Sequence, residues 1–214
     1  MFRALFIDRD GVINIEKEYL YKQEDFEFIP GAVEGLKLAQ DAGFKLIVIT
    51  NQSGIGRGYY TNDDFKKLTI WMRKTLYEQG VKIDDVLHCP HTLEDECSCR
   101  KPHPGLVNNA AVKHKIDLAN SLLVGDKESD ILTAKHAHLK ASVLVRSGHK
   151  IDESSTKATY IEDDLLSAVK KQIPTNLMSD GGGENTGKDI QQILLGKGIE
   201  SVIAKKDTTF SNSM

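Results

Sequence analysis

The stretch Ala4-Leu5-Phe6-Ile7-Asp8-Arg9-Asp10-Gly11 decides how the rest of the chain is interpreted. Its four apolar residues predict a short buried strand, and two carboxylates separated by one residue follow directly. Two negative charges brought together at the end of a buried strand require a compensating cation. Open α/β sheets also bind their ligands at the carboxyl ends of parallel strands. We therefore expect a metal-assisted site centred on Asp8 and Asp10; the alternative, at this point, is a strand followed by an ordinary Asp-Gly turn.

The composition is that of an ordinary globular protein. The chain has 214 residues, of which 40% are hydrophobic and 28% are charged, and this length suits one domain, or one domain with an appendage. The formal net charge of −3 gives no general attraction to nucleic acid or to anionic membranes. No apolar run approaches the ~20 residues that cross a bilayer, and the N-terminus lacks a signal-peptide pattern. We expect a cytoplasmic protein that binds neither nucleic acid nor membrane.

Two kinds of apolar segment alternate along the chain. Buried strands are predicted at residues 4–7, 45–49, 85–88, 121–124 and 141–145. Amphipathic helices are predicted at residues 32–39, 65–76, 106–114, 131–139 and 164–173, and Thr61 with Asp64 resembles a capping box before the second of them. The polar and aromatic segment 14–28 has no clean period and predicts a loop or flap over the end of the first strand. Strands that alternate with helices are typical of an α/β fold with a parallel sheet and helices on both faces.

The composition changes after Pro174. Residues 179–185 are rich in glycine and polar residues and predict a flexible linker, followed by a short helix at 189–195. Residues 182–188 superficially match a phosphate-binding loop, but Asp189 stands where Ser or Thr must hold magnesium and no strand precedes the glycines. We interpret this as a chance match, and divide the chain into an α/β domain at 1–174 and a linker and tail at 175–214.

The residues that could take part in catalysis follow the ends of three predicted strands, the first, the second and the fourth. Asp8 can attack phosphorus and form an aspartyl phosphate. Asp10 can protonate the leaving alcohol and later activate water. Asp126, after the fourth strand, supplies a further carboxylate for Mg²⁺, which prefers oxygen ligands. Together these groups predict a site for phosphoryl transfer.

Four further residues suit the neutralisation and positioning of a phosphate. The Thr50 hydroxyl and the Asn51 backbone can donate hydrogen bonds to phosphate oxygens. Lys101 adds a positive point charge against the phosphoryl group. Lys127 either adds a second positive charge near the phosphoryl group or is an ordinary solvated lysine.

All three cysteines of the chain fall in one short window. An odd, clustered set is a poor disulfide framework and a better metal set. With one histidine they make a complete tetrahedral Zn²⁺ set without an open position, which is typical of a structural site. The predicted ligands are Cys89, His91, Cys97 and Cys99. His88 and, more remotely, His103 remain alternatives to His91, and the opposing interpretation is three unrelated cysteines.

In its motifs from Asp8 to Asp130 the chain resembles the haloacid dehalogenase superfamily of phosphatases. The resemblance implies a Rossmann-like core with a minimal cap, Mg²⁺, Asp8 as the nucleophile and Asp10 as the general acid and base. It also implies Mg²⁺ ligation by the Asp8 carboxylate, the Asp10 backbone carbonyl and Asp126. Asp130 would lie behind these ligands or be an additional one.

The cysteine segment from Cys89 to Cys99, called the zinc loop below, narrows the resemblance to one family within the superfamily. The chain to about Pro174 is similar to the D-glycero-D-manno-heptose 1,7-bisphosphate 7-phosphatase family in Thr50-Asn51-Gln52-Ser53-Gly54-Ile55, Cys89-Pro90-His91 and the run from Cys99 to Gly105. In that family Arg100 would recognise the distal phosphate and Lys101 the reacting one, so that the catalytic set is Asp8, Asp10, Thr50, Arg100 and Lys101. The implied substrate contacts are Asp8, Arg9, Asp10, Glu16, Lys17, Glu18, Tyr19, Thr50, Asn51, Gln52, Ser53, Arg100, Lys101 and Lys127.

The sequence therefore favours a monomeric, Mg²⁺-dependent phosphatase for a small sugar bisphosphate, in the synthesis of nucleotide-activated heptose for lipopolysaccharide or another surface glycan. Histidinol-phosphate phosphatase is the nearest alternative, because it shares the zinc loop and the catalytic motifs. A polynucleotide 3′-phosphatase is disfavoured by the acidic balance of the chain. A non-catalytic module that docks a partner through the zinc loop is the alternative of a different class.

Overall fold

A computed structural model of the chain describes residues 1–173, and the predicted linker, tail and helix at 189–195 lie outside this part. Its strands are β1 (Ala4–Ile7), β2 (Lys45–Asn51), β3 (Asp85–Cys89), β4 (Leu122–Gly125), β5 (Ala141–Val145) and β6 (Tyr160–Glu162). Its α-helices are α1 (Ala32–Asp41), α2 (Ser53–Gly56), α3 (Asn62–Glu78), α4 (Gly105–His114), α5 (Glu128–His136) and α6 (Leu165–Gln172). Short 3-10 helices lie at Gln23–Asp25 and Leu118–Asn120.

The six strands form one parallel sheet in the order β3-β2-β1-β4-β5-β6, which confirms the predicted α/β architecture. β1 lies between β2 and β4, with Phe6 opposite Ile47 on one side and Leu123 on the other. The chain reverses its winding direction at β1, and such a switch point leaves a crevice at the carboxyl ends of the adjacent strands. The segments that follow β1, β2 and β4 therefore converge.

Both faces of β1 are buried because helices cover both sides of the sheet. Leu5 and Ile7 belong to one hydrophobic cluster, which includes side chains from α1, α3 and α6 such as Leu36, Met72 and Leu165. Ala4 and Phe6 belong to a second cluster, with Val107 and Ala134 of α4 and α5. A strand buried on both faces reads as a continuous apolar run, as residues 4–7 do.

Local sequence signals set several element ends. Helix α3 begins with the predicted capping box, in which Asp64 N donates to Thr61 Oγ1 at 3.1 Å and Thr61 N donates to Asp64 Oδ2 at 3.0 Å. The predicted flap is an irregular segment whose ends are joined by bridges from Asn14 to Asp10 and to Phe28. The prediction of five strands is incomplete, because β6 adds a sixth at the edge of the sheet.

Within the described residues, no helix combines the length and the apolarity that crossing a membrane would need.

Candidate active site

A cavity of about 490 Å³ opens at the carboxyl ends of β1, β2 and β4. Twelve of the residues predicted for catalysis, substrate contact or Mg²⁺ line it: Asp8, Asp10, Glu16, Glu18, Tyr19, Thr50, Asn51, Gln52, Ser53, Arg100, Lys101 and Lys127. The sheet topology places these side chains together although they are separated by more than a hundred positions in sequence. The alternative of an ordinary Asp-Gly turn after β1 does not account for such a convergence.

A buried ion-pair network lies at the base of the cavity. Lys101 Nζ is 2.8 Å from Asp8 Oδ2 and 2.5 Å from Asp130 Oδ1, and it donates to the Ile49 carbonyl at 3.1 Å. Burial raises the pKa of Asp8 to about 8; Lys101 opposes this rise, and the Asp130 and Asp126 carboxylates add to it. Burial disfavours the Lys101 ammonium as well, but the carboxylates of Asp130 and Asp8 raise its pKa above the ordinary lysine value. Three carboxyl groups face one ammonium here, so that a bound cation would stabilise their ionised forms.

The Asp10 carboxylate is fixed by three side chains. Arg9 grips it as a fork, with Nε 3.1 Å from Oδ1 and Nη2 2.9 Å from Oδ2. Asn14 Nδ2 donates to Oδ1 at 2.9 Å, and Gln52 Nε2 donates to Oδ2 at 3.0 Å. The orientation of Asp10 at the cavity is therefore determined before any substrate binds.

The end of β2 positions both a hydroxyl donor and the segment that carries Lys101. Gln52 Nε2 donates to Thr50 Oγ1 at 2.9 Å, which leaves the Thr50 hydroxyl proton available to a phosphate oxygen. The Asn51 side chain accepts from Lys101 N at 3.0 Å and donates to the Lys101 carbonyl at 3.2 Å. This reciprocal pair ties two segments 50 residues apart and aims Lys101 at Asp8.

The carboxylates of Asp8, Asp126 and Asp130 form a group that could hold a metal ion, since one oxygen from each lies within 4.8 Å of the others. Asp126 is fully buried, and its Oδ1 has no hydrogen-bond partner within residues 1–173. A buried carboxylate oxygen without a donor is unfavourable unless a cation satisfies it. Three carboxylates, one of which has an unpartnered oxygen, are a donor set that fits Mg²⁺.

The predicted zinc ligands also converge. Cys89 Sγ lies 3.1 Å from Cys99 Sγ and 3.5 Å from Cys97 Sγ, and His91 Nδ1 lies 3.2 Å from Cys99 Sγ. The four donor atoms are within 4.8 Å of one another, and three thiolates with one imidazole are the donors that a tetrahedral Zn²⁺ site needs. His88 points elsewhere, because its Nε2 is 2.8 Å from Asn62 Oδ1. The geometry therefore favours His91 over His88 as the fourth donor.

Relatives of known function match most of the described chain. The D-glycero-alpha-D-manno-heptose-1,7-bisphosphate 7-phosphatase of Photorhabdus laumondii is 45% identical over 163 residues, which cover 73% of this chain and 89% of the relative. The chain belongs to the heptose-1,7-bisphosphate 7-phosphatase family. Another member, the D-glycero-beta-D-manno-heptose-1,7-bisphosphate 7-phosphatase of Escherichia coli, is 40% identical over 79% of this chain and 94% of its own length.

Two further comparisons agree with membership of this family. Residues 98–169 match the family model for HAD-hydrolase-like proteins. The crystal structure of the D,D-heptose 1,7-bisphosphate phosphatase from B. bronchiseptica, in complex with magnesium and phosphate, superimposes with a TM-score of 0.70. That chain is 28% identical, and the match covers 79% of this chain and 97% of the other. The resemblance to haloacid dehalogenase-type phosphatases is thus confirmed.

Two of the family-implied substrate contacts are not at the cavity. Lys17 Nζ extends to Glu27 Oε2 at 3.4 Å, because the flap turns this side chain outward. The Arg9 side chain is 1% exposed and lies behind Asp10, which it grips, so that it cannot touch a substrate directly. The Arg9 side chain therefore supports Asp10, and Lys17 is not among the residues that line the cavity.

The site also depends on residues that the sequence did not single out. Tyr60 lines it and donates from its hydroxyl to Gln52 Oε1 at 2.5 Å. His149, from the loop after β5, lines it and contacts Asp126. Asn14 supports Asp10 from the start of the flap. None of the three lies in a motif. Each contacts the site only because the fold brings its segment there, and hydrophobic periodicity does not reveal such a contact.

Proposed function

We propose that this protein is an Mg²⁺-dependent phosphatase that hydrolyses the 7-phosphate of D-glycero-D-manno-heptose 1,7-bisphosphate through an aspartyl phosphate. The observation that carries the proposal is the position of Asp8, whose carboxylate lies 2.8 Å from the buried Lys101 ammonium at the base of an open cavity. Membership of the heptose bisphosphatase family supports the substrate. The product would feed the synthesis of nucleotide-activated heptose for lipopolysaccharide or another surface glycan.

The reaction proceeds in two displacements. An Asp8 carboxylate oxygen attacks the 7-phosphorus, the bond to the sugar oxygen breaks, and protonated Asp10 gives its proton to that oxygen. Asp10, now a carboxylate, then takes a proton from a water molecule that attacks the phosphorus of the aspartyl phosphate. Inorganic phosphate leaves, and Asp8 is restored. Thr50 and Lys101 balance the charge of the transferring phosphoryl group in both steps.

The metal requirement follows from the donor sets. Mg²⁺ would be held by the Asp8 and Asp126 carboxylates and the Asp10 backbone carbonyl, with Asp130 beside them, and would neutralise charge on the phosphoryl oxygens. Zn²⁺ would be held by Cys89, His91, Cys97 and Cys99 as a structural ion. Because Lys101 is two residues beyond Cys99, the zinc loop would fix the basic pair Arg100-Lys101 at the cavity.

The distal phosphate would be recognised at the cavity mouth. Arg100 lines the cavity, and its Nη1 is oriented by a 3.1 Å hydrogen bond to the His91 carbonyl. Residues 1–173 contain no cap domain over the cavity, so that an elongated sugar bisphosphate can insert one end. We further propose that the enzyme acts as a cytoplasmic monomer.

The decisive experiment is steady-state kinetics with Mg²⁺ on both anomers of the heptose bisphosphate and on histidinol phosphate. We expect the higher kcat/KM for a heptose bisphosphate, since Arg100 at the cavity would meet a second phosphate. A higher kcat/KM for histidinol phosphate would overturn the heptose assignment. The matched variant Arg100→Gln should raise the KM for the bisphosphate and leave the hydrolysis of a simple monophosphate ester nearly unchanged.

A further inference from the structure

The two oxygens of the buried Asp126 carboxylate have opposite environments. Oδ2 accepts two hydrogen bonds from one residue, at 2.9 Å from His149 N and at 2.6 Å from His149 Nδ1. Oδ1 is buried and has no hydrogen-bond partner among the described residues. One oxygen is therefore saturated by the protein, and the other is left for a cation.

The loop after β5 is built to make this contact. A Cβ on Gly148 would collide with Asp126 Oδ2, so that only glycine lets the backbone pass so close to the carboxylate. Ser147 Oγ donates to the Gly11 carbonyl at 2.7 Å and fastens the same loop to the turn after β1. His149 thus reaches Asp126 from a segment that is anchored directly before it, at Ser147 and Gly148.

We propose that His149 is a positioning residue that fixes the Asp126 carboxylate with Oδ1 directed at the Mg²⁺ site. Since a carboxylate only accepts hydrogen bonds, Nδ1 of His149 must carry the proton of the 2.6 Å contact. Groups that orient a metal ligand in this way typically change metal affinity 10–100-fold when they are removed. The inference rests on the Mg²⁺ site of the proposed function, and it concerns how that site is held.

The backbone N–H of His149 is a competing explanation, because it donates to the same oxygen of Asp126 without any help from the ring. His149→Ala separates the two, since it keeps the backbone donor and removes the ring. His149→Asn is the conservative variant, because its amide nitrogen occupies nearly the position of Nδ1 and can donate to Oδ2. Lys150→Ala is the matched control, from the next residue of the same loop, with an exposed side chain.

The test is a titration of the zinc-replete full chain with Mg²⁺ alone, in which isothermal calorimetry measures the affinity. We expect His149→Ala to weaken Mg²⁺ binding about tenfold, His149→Asn to restore most of it, and Lys150→Ala to match the wild type. Equal affinity in His149→Ala and the wild type would overturn the proposal, and so would a loss in His149→Ala that His149→Asn fails to restore. Melting curves without Mg²⁺ identify any variant that is merely misfolded.

Asp126→Asn separates this inference from the proposed function. If Asp126→Asn loses Mg²⁺ binding and His149→Ala does not, the cation site stands and the role of His149 falls. If Asp126→Asn binds Mg²⁺ as the wild type does, the cation site itself is wrong. Because no sugar phosphate enters the titration, neither outcome depends on the identity of the substrate.

Discussion

At the scale of single residues, the site depends on an oxygen nucleophile that is buried beside a cation. Asp8→Asn keeps the shape of the side chain and removes its anionic oxygen, so that we expect kcat to fall by about a thousandfold or more. Folding should survive, because burial and the neighbouring Asp126 and Asp130 disfavour the charge that the substitution removes. Steady-state kinetics and a melting curve check both statements. Full activity in this variant would exclude Asp8 as the nucleophile.

Tyr60 contacts the catalytic groups through Gln52. Its hydroxyl donates to Gln52 Oε1 at 2.5 Å, and the Gln52 amide donates to both Asp10 and Thr50. A hydrogen bond of this kind contributes about 0.5–1.5 kcal/mol, so that Tyr60→Phe should lower kcat about two- to tenfold. Tyr59→Phe is the control, because the exposed Tyr59 ring packs on Tyr19 and would still do so. A Tyr60→Phe enzyme with unchanged kcat would show that Gln52 is held without the hydroxyl.

The sequence predicted those site residues whose chemistry is visible in a short motif. Asp8, Asp10 and Asp126 each follow an apolar run, and the strand order then brings them together. His149 could not be predicted, because its contact with Asp126 joins positions 23 residues apart through a loop without a motif. The outward turn of Lys17 was equally hidden, since flap residues carry no periodicity that fixes the direction of a side chain.

At the scale of elements, the zinc loop should control the position of the segment that carries the catalytic lysine. We expect about one equivalent of zinc in the purified protein. Cys99→Ser should lose that zinc, lower the melting temperature and reduce kcat, because Lys101 is two residues away and must meet Asp8. Elemental analysis, melting curves and kinetics provide the measurements. Ser98→Ala, an exposed change in the same loop, is the control and should retain the metal.

The elements that carry a buried apolar run or a capping signal follow from the sequence, and those without such a signal do not. The apolar runs at β1, β2 and β5 and the capping box of α3 were sufficient to place those elements. β6 has only three residues, of which Tyr160 is 43% exposed, so that neither alternation nor a buried run marks it. Helix α5 begins at Glu128 and ends at His136, earlier than its apolar residues predicted, since its ends depend on capping contacts around Asp130.

At the scale of the whole molecule, stability should be linked to the cation that balances the buried acids. Asp8 is 7% exposed and Asp126 and Asp130 are 0% exposed. An ion that binds only the folded protein stabilises it by about 2.7 kcal/mol at a hundred times its Kd. Mg²⁺ should therefore raise the melting temperature, and Asp126→Asn should lose most of that shift. Glu78→Gln, which changes an exposed acid on α3, should keep it.

The size of this shift should increase with pH. Burial raises the pKa of Asp8 to about 8 and raises that of Asp130 in the same direction. Between the ordinary carboxyl pKa and a pH of about 8, the folded protein thus retains protons that the unfolded chain has released. Without Mg²⁺, the free energy of unfolding therefore falls as the pH rises through this range. Mg²⁺ displaces those protons, and it competes with fewer of them near pH 8 than near pH 6. Melting curves with and without Mg²⁺ at both pH values test this, with zinc kept constant. A shift that shrank toward pH 8 would mean that Mg²⁺ binds away from the buried carboxylates.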